Sequence, residues 1–305
     1  MIRFLRHTEI DKVKWDALIS SSPDGIIYAT TWYLDIVSPN WEALVEDDYS
    51  AVFPLTCRSK FGIHYLFQPY FTQQLGLISK DKEKTESKLQ DFLLHIPKKF
   101  RLIEIQLNTS NNIENFNDFS AQKKLTHHLF LSDDYEAIKS RYSENHLRNI
   151  KKAFKSMNEI SKDVVCSAII QLFRENKGVG IENLKAGDYL LVEKLLNEAT
   201  AKKLLEIRGV VNESQKLIAG AIFLKSFHSW IFLFSATNKE AKESGAMSQL
   251  IDTFINEHCK EDIYLDFEGS MDANLARFYK GFGSKEVVYL QIRKNNLPGI
   301  IRWLK

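Results

Sequence analysis

The order of predicted secondary structure repeats once along the 305 residues of the chain, and this repeat constrains the fold more than any single motif does. Each half begins with a helix, continues with a run of antiparallel strand candidates, and ends with a second helix and further strands. The strand runs lie within residues 41–68 and 204–235, although the amino-acid sequence itself does not repeat. We therefore predict an α/β (α+β) fold of two tandem domains, over residues 1–132 and 133–305, each with a mixed sheet flanked by helices.

The amino-acid composition argues against several classes of protein. Forty-one Lys and Arg against 39 Asp and Glu leave a formal net charge of +2, which does not favour a protein that wraps nucleic acid with a broad basic face. Cys57, Cys166 and Cys259 lie far apart without metal-ligand spacing, so we expect no metal. No apolar stretch has the length of a signal peptide core or approaches the roughly 20 residues of a membrane span. We expect a soluble, cytoplasmic protein without membrane insertion.

A strand-to-helix connection in the second half suggests an anion site. The strand predicted over 229–235 is followed by a loop that contains Ser244, Gly245 and Ala246 and opens a long helix. Free N–H groups at a helix start bind anions such as a pyrophosphate, and a glycine permits close approach. Ser235, Ser244, Gly245 and Ala246 are therefore candidate cofactor-binding residues. One glycine is a weak fingerprint, however, and an ordinary turn with Ser244 as N-cap explains the same residues.

Four tracts carry a family resemblance. Asp266–Ser270 (Asp-Phe-Glu-Gly-Ser) followed by Phe278–Gly283 (Phe-Tyr-Lys-Gly-Phe-Gly) resembles the C-terminal signature of bacterial FemAB-like proteins. These are acyltransferases with two tandem GNAT-fold domains, related to the ligases that add amino acids to peptidoglycan precursors. Tyr142–Ala153 resembles the basic helix that opens the second domain of the family, and Gln68–Gly76 resembles a tract of its first domain. The resemblance extends over most of the chain.

The resemblance implies a metal-independent N-acyltransferase that moves an acyl group from acyl-CoA, such as acetyl-CoA, to an amine acceptor. The second domain would bind the donor, and a cleft between the domains would hold the acceptor, a small molecule or a peptide. The reaction must deprotonate an ammonium, stabilise an oxyanion and protonate a leaving group. Glu268 is the candidate base, or the group that orients the base, and Tyr279 is the candidate acid. A solvated carboxylate and a packed aromatic ring are the alternatives for these two residues.

Two other functions fit the same resemblance. The first is an aminoacyl-tRNA-dependent ligase that acts on a peptidoglycan precursor, with tRNA as a partner. The tRNA-dependent ligases commonly carry a lysine where this chain has Tyr279, and the shift to Lys280 turns the charge by about 100° on a helix. The second is a non-catalytic protein that binds a ligand on the same fold.

Substrate contacts are expected at three places. Arg148 and Lys152 share one face of the basic helix, where they would bind phosphates, although a solvated helix face explains them equally. Asp266 and Lys280 flank the candidate base and acid. In the first half, Tyr70, Gln73 and Gln74 follow Pro69 in a turn that either hydrogen-bonds a substrate or satisfies its own polar groups.

Overall fold

The computed structural model describes residues 1–81, 85–112, 118–156, 158–180 and 185–298. The chain divides into two compact units, one of Met1–Lys124 together with the chain from Val288 onward, the other of Leu125–Val287. The predicted division into two domains at residue 132 stays a prediction.

Over the described residues, the first unit contains two groups of strands and three α-helices. In chain order, its elements are β1 (Ile2–Leu5), α1 (Lys12–Ser21), α2 (Thr31–Val37), β2 (Glu42–Glu46), β3 (Ala51–Leu55), β4 (Cys57–Lys60), β5 (Ile63–Leu66), β6 (Ile78–Ser79), α3 (Thr85–Leu94) and β7 (Phe100–Gln106). Strand β8 (Ser120–Phe130) begins in this unit and continues into the second.

The elements of the second unit follow β8. They are α4 (Tyr135–Lys139), α5 (Glu144–Lys155), β9 (Glu159–Ser161), α6 (Cys166–Glu175), α7 (Ala186–Ala201), β10 (Leu205–Val211), β11 (Leu217–Lys225), β12 (Ser229–Thr237), α8 (Lys239–Ser244), α9 (Ala246–His258), β13 (Tyr264–Asp266) and α10 (Ala273–Lys280). The last strand, β14 (Lys285–Asn295), returns the chain to the first unit.

In the first unit, β1-β2-β3-β6 form one antiparallel sheet, and β4, β5, β7 and β14 lie side by side in that order, with β5 and β7 parallel. Apolar residues of α3 cover these strands, and Phe92 stacks on Phe53 with ring centroids 6.4 Å apart. Each buried side chain of this size stabilises the fold by about 1.5–3 kcal/mol relative to exposure.

In the second unit, the strands lie in the order β8-β13-β12-β11-β10-β9. Neighbours are antiparallel except β12 and β13, which are parallel and are joined by α8 and α9. A parallel pair needs such a crossover, and the apolar face of α9 packs on the sheet, where Phe254 stacks on Phe223 at 3.7 Å. The structure thus has mixed sheets flanked by helices, as the sequence predicts.

One predicted loop is a helix. Asn238 accepts a hydrogen bond from the Ala241 N–H at 2.8 Å and caps α8, so residues 239–244 are helical before Gly245 separates α8 from α9. The sequence predicts a loop here and offers Ser244 as a cap for the helix that follows. Asn238 is an equally good capping residue and lies six residues earlier.

Two of the family-like tracts pack against each other. His146 of α5 bonds through Nε2 to the Phe278 carbonyl (2.8 Å), and its ring lies 3.9 Å from that of Phe282. A Cβ on Gly281 would come within 2.3 Å of the His146 ring, so only glycine fits there without movement. The Gly281 carbonyl accepts from the Ser143 N–H at 2.8 Å. This contact fixes α10, which carries Tyr279, to the N-terminus of α5.

Candidate active site

The chain makes an unusual turn where β13 ends. Glu268 and Gly269 are consecutive left-handed residues, with φ of +51° and +56°. The left-handed conformation costs a residue with a Cβ about 1–2 kcal/mol, so Glu268 keeps it only if the surroundings impose it. Asp272 then caps α10 by accepting from the N–H groups of Asn274 (2.8 Å) and Leu275 (3.2 Å).

The backbone N–H of Glu268 is held by Asp266. It donates to Asp266 Oδ1 at 3.0 Å, and the same oxygen accepts from the Thr126 hydroxyl. The other carboxylate oxygen of Asp266 lies 3.3 Å from Nε2 of His128. Asp266 and Thr126 are both buried, 5% and 0% exposed. Asp266 therefore acts on the turn, and its predicted contact with substrate stays a prediction.

The carbonyl of Glu268 is held from the other side by Ser270. The Ser270 hydroxyl donates to this carbonyl at 3.0 Å, and its oxygen lies 2.8 Å from Nδ1 of His127. Since the single hydroxyl proton is used on the carbonyl, Nδ1 of His127 must be the donor to Ser270. Burial lowers the pKa of His127, which is 1% exposed, so its ring is neutral at pH 7 with the proton on Nδ1. We call Thr126, His127, Asp266 and Ser270 the clamp.

The two halves of the clamp start from adjacent residues of β8. Successive strand residues point to opposite faces, so Thr126 reaches Asp266 on one face while His127 reaches Ser270 on the other. The antiparallel pairing of β8 with β13 places His128 opposite Asp266 and brings both faces of β8 to the turn. Both peptide groups of Glu268 are thus bound by side chains.

Tyr279 lies beside this turn. Its ring stacks on Phe267 with centroids 4.7 Å apart, and its hydroxyl would be 4.0 Å from a Cβ built on Gly269. Burial raises the pKa of Tyr279, and the negative charge of Glu268 raises it further. The phenol therefore stays protonated at neutral pH and keeps an O–H that can donate a hydrogen bond. The structure brings the two predicted catalytic residues to one place.

Strands β12 and β13 part next to this turn. They pair only through Ser229–Ile231 of β12, and the register with β11 shifts so that Leu233 is an extra residue in β12. A bulge of this kind bends a strand. Beyond Ile231, no strand in the described part of the chain pairs with the β13 side of β12, so this edge offers peptide groups to an extended ligand. Ser235, half-buried, lies in this stretch.

The start of α9 is more enclosed than the sequence suggests. Gly245 has φ of +81°, and a Cβ there would lie 2.6 Å from the Asn149 carbonyl of α5. Close helix packing therefore accounts for this glycine. Ala246 is fully buried, and the Ser244 hydroxyl lies 3.4 Å from the Ala241 carbonyl instead of capping α9. A pyrophosphate contact at Ser244, Gly245 and Ala246 stays a prediction.

The predicted phosphate contacts lie on the exposed face of α5. Arg148 donates to the Asn145 side chain at 2.8 Å, and Lys152 is exposed. Within the described ranges, neither side chain has a carboxylate within ion-pair distance. Lys280 is also exposed, with its Nζ 3.9 Å from Glu286 in a long surface pair.

The predicted substrate contacts of the first unit belong to a self-bonded loop. The Gln74 side chain donates to that of Gln73 (2.8 Å) and accepts from the Thr109 N–H (3.0 Å). Gln74 is 3% exposed, so these bonds satisfy its amide inside the unit. Tyr70 is 46% exposed beside this loop.

The described residues contain neither a metal-ligand group nor a membrane-spanning helix. Across the residues the structure describes, no group of three His, Cys, Asp or Glu side chains is placed to hold a metal ion. None of the described helices combines the length and apolarity that a bilayer crossing requires.

Sequence reasoning missed Thr126, His127 and Ser270. The run Thr126-His127-His128, three polar residues near the end of a strand, was the available signal. His127 and His128 occupy neighbouring strand positions, which have poor geometry for a shared metal ion, so the run carried no sequence prediction.

Comparison with solved structures shows the fold. The chain aligns with FemX at a TM-score of 0.69 and 12% identity, over 98% of this chain and 99% of FemX. A conserved protein from Bacteroides thetaiotaomicron aligns at 0.61 and 10% identity, over 96% of this chain and 99% of that protein. The C-terminal domain of a putative lysylphosphatidylglycerol synthetase from Agrobacterium fabrum aligns at 0.54 and 10%, over 96% and 94%. No protein-family model and no curated protein matches the sequence. The chain has a FemX-like fold.

Proposed function

We propose that this protein is an acyltransferase that joins an acyl group to an amine, with acyl-CoA as the donor. The observation that carries the proposal is the position of Glu268. A carboxylate on a strained residue, with both of its peptide groups bound by buried side chains, lies beside a protonated Tyr279 where β12 and β13 part. Strained backbone held by its surroundings is typical of catalytic sites.

The roles of the residues follow from their chemistry. Glu268 accepts a proton from the acceptor ammonium, so that the neutral amine can attack the acyl carbonyl and form the new C–N bond. Tyr279 donates its phenolic proton to the leaving thiolate as the C–S bond breaks. As the amide forms, its nitrogen loses a second proton. The tyrosinate, whose pKa is raised by burial and by Glu268, takes up this proton, and Glu268 releases the first proton to water.

The donor would lie along the open edge of β12. In the described chain, no strand pairs with this side of β12 over residues 232–237, and Ser235 lies in this stretch. An extended amide-containing chain such as the arm of CoA fits an unpaired strand edge. Of the similar structures, FemX and a domain named lysylphosphatidylglycerol synthetase support a transferase on this fold, and the second name denotes a product that carries a lysyl group.

A second candidate donor is aminoacyl-tRNA. It is favoured by the exposed face of α5, whose four cations have no carboxylate partner in the described chain; these are Arg148, Lys151, Lys152 and Lys155. This reading predicts salt-sensitive tRNA binding that weakens in Arg148→Ala and Lys152→Ala. Lys202→Ala, which removes a cation already paired with Glu198 at 3.2 Å, is the matched control.

The first experiment measures the melting temperature with acyl-CoAs, free CoA and deacylated tRNA. A ligand at 100 times its Kd stabilises the native state by about 2.7 kcal/mol, a shift of roughly 5 °C for a chain of this size. A shift with CoA species alone supports the proposal, and turnover is then sought with a panel of amines. A shift with tRNA alone overturns acyl-CoA as the donor. No shift with either favours a binding protein on the same fold.

A further inference from the structure

We propose that Thr126, His127 and Ser270 are positioning residues that hold Glu268 in its left-handed conformation and thereby aim its carboxylate. That the direction of the Glu268 carboxylate matters for catalysis rests on the proposed function. That these residues fix the backbone of Glu268 is a property of the fold. The residues act through the backbone of Glu268 and need not touch substrate.

The first step is the conformation itself. A glutamate free to choose prefers right-handed or extended backbone, and a change in φ at Glu268 would swing its side chain to another direction. Gly269 can follow either conformation without strain. Residue 268 therefore takes its direction from whatever bonds its peptide groups.

The second step is where those bonds come from. The N–H of Glu268 is bound by Asp266, which Thr126 orients, and the carbonyl is bound by Ser270, which His127 orients. Thr126 and His127 are at most 1% exposed, so water does not replace them cheaply. They lie 140 or more residues before the turn, so the turn's own sequence does not contain its support.

The third step is that the clamp is built in pairs. Each peptide group of Glu268 has one direct partner and one buried residue of β8 behind it. Removing a single hydroxyl leaves the other half in place, so we expect single variants to weaken the hold and a double variant to release it. This graded behaviour separates a clamp from a turn that is fixed by its local sequence.

The experiment compares Glu268→Gly with Glu268→Ala by melting temperature. In the native background, glycine relieves strain that alanine keeps, so Glu268→Gly melts about 2–4 °C higher than Glu268→Ala. In a Thr126→Val, Ser270→Ala background the backbone is free to relax, and the difference falls to less than half. The proposal is overturned if the difference is absent in the native background or unchanged in the double variant.

An activity measurement adds a readout that stability alone does not move. Thr126→Val and Ser270→Ala are expected to lower kcat about 10- to 100-fold with KM changed less than threefold, because a misplaced base is still next to bound substrate. Thr126→Ser keeps the hydroxyl and restores kcat to within about threefold. An unchanged kcat in Thr126→Val and Ser270→Ala overturns the positioning role.

The two proposals fail in different ways. If the native protein turns over no donor, the proposed function fails while the melting comparison still decides whether the clamp holds Glu268. If turnover is found and the melting difference does not respond to the double variant, the clamp fails alone.

Discussion

Among the residues that the structure describes, two pairs of consecutive residues are left-handed, and they arise from different causes. Phe61 and Gly62 have φ of +51° and +75°, close to the values at Glu268 and Gly269. They form the two-residue connection between β4 and β5, where Lys60 pairs with Ile63. A two-residue hairpin favours positive φ at both positions because such turns match the twist of the strands. Phe61 is 90% exposed and Gly62 has nothing within 4 Å of a built Cβ.

Glu268 and Gly269 have no such hairpin. They connect β13, which has a strand on each side, to α10. Their conformation is supported by side chains of β8 and of the turn. Similar φ values therefore come from local strand twist in one place and from remote buried residues in the other. Only the second arrangement ties the direction of a carboxylate to the rest of its unit.

The largest expected effect is on kcat, which should fall on substitution at the Glu268 turn and not at the Phe61 hairpin. Glu268→Gln and Tyr279→Phe keep shape and remove proton transfer, so each is expected to lower kcat by 10²- to 10⁴-fold, the range for a general base or acid. Phe61→Ala, the matched change in the hairpin, stays within about twofold of native kcat. Steady-state kinetics on an identified donor and amine measures this. Full turnover in both Glu268→Gln and Tyr279→Phe contradicts the assigned roles.

The next effect concerns glycines that are needed for different reasons. Gly245→Ala meets both a positive φ and the Asn149 backbone, so we expect a loss of about 2–4 kcal/mol in the free energy of unfolding. Gly62→Ala meets a positive φ in open space and should lose only about 1–2 kcal/mol. Urea unfolding gives both values. Equal losses would show that α5 does not constrain the start of α9.

A smaller effect tests whether strain is coupled to β8. Phe61→Gly should raise stability over Phe61→Ala by about 1 kcal/mol, and this gain should not change in Thr126→Val because the hairpin sets its own angles. The corresponding gain in stability of Glu268→Gly over Glu268→Ala should become smaller in Thr126→Val. Thermal unfolding of the Gly and Ala variants at positions 61 and 268, each in the native and in the Thr126→Val background, checks the contrast. A changed gain at Phe61 would mean that Thr126→Val acts on the whole protein.

The smallest effect is on pH dependence. Burial lowers the pKa of His127 and of His146, so below about pH 6.5, the ordinary histidine value, the unfolded chain binds protons that the folded chain does not. Stability should therefore fall as pH drops from 7 towards 5, and less steeply in His127→Gln. The pKa of His258, which bonds to Glu206 and Glu261, is raised, so its contribution is present in acid and is lost as pH rises through the folded pKa. An unchanged slope in His127→Gln would contradict a neutral buried ring.

Local patterns predicted much of this architecture. The alternation and spacing of apolar residues located most strands and helices of both halves, and the mixed α/β class is confirmed. Helix α8 (Lys239–Ser244) was predicted to be a loop. Two capping residues, Asn238 and Ser244, are available there, and sequence alone does not decide between them. The short tracts implied the fold of FemAB-like proteins, and the alignment with FemX shows that the chain has a FemX-like fold.

The site was predictable only in part. Asp266, Glu268 and Tyr279 lie in tracts close in sequence, and the structure places them together. Thr126 and His127 belong to a strand whose pairing with β13 spans about half the chain, and no local pattern encodes that register. Gly245 was a candidate either for an anion site or for an ordinary turn. The structure adds its close contact with Asn149, which sequence alone did not indicate, and anion binding there stays a prediction.

The contact between His146 and Gly281 also has an evolutionary consequence. Because the imidazole occupies the volume where a Cβ at 281 would lie, the two positions are not free to drift independently. In a lineage that replaces Gly281 by alanine, the residue at 146 should become smaller, and a lineage that keeps glycine can retain the imidazole. Paired substitution at these two positions, 135 residues apart in the chain, would indicate the contact between α5 and α10 even in relatives whose short tracts have diverged.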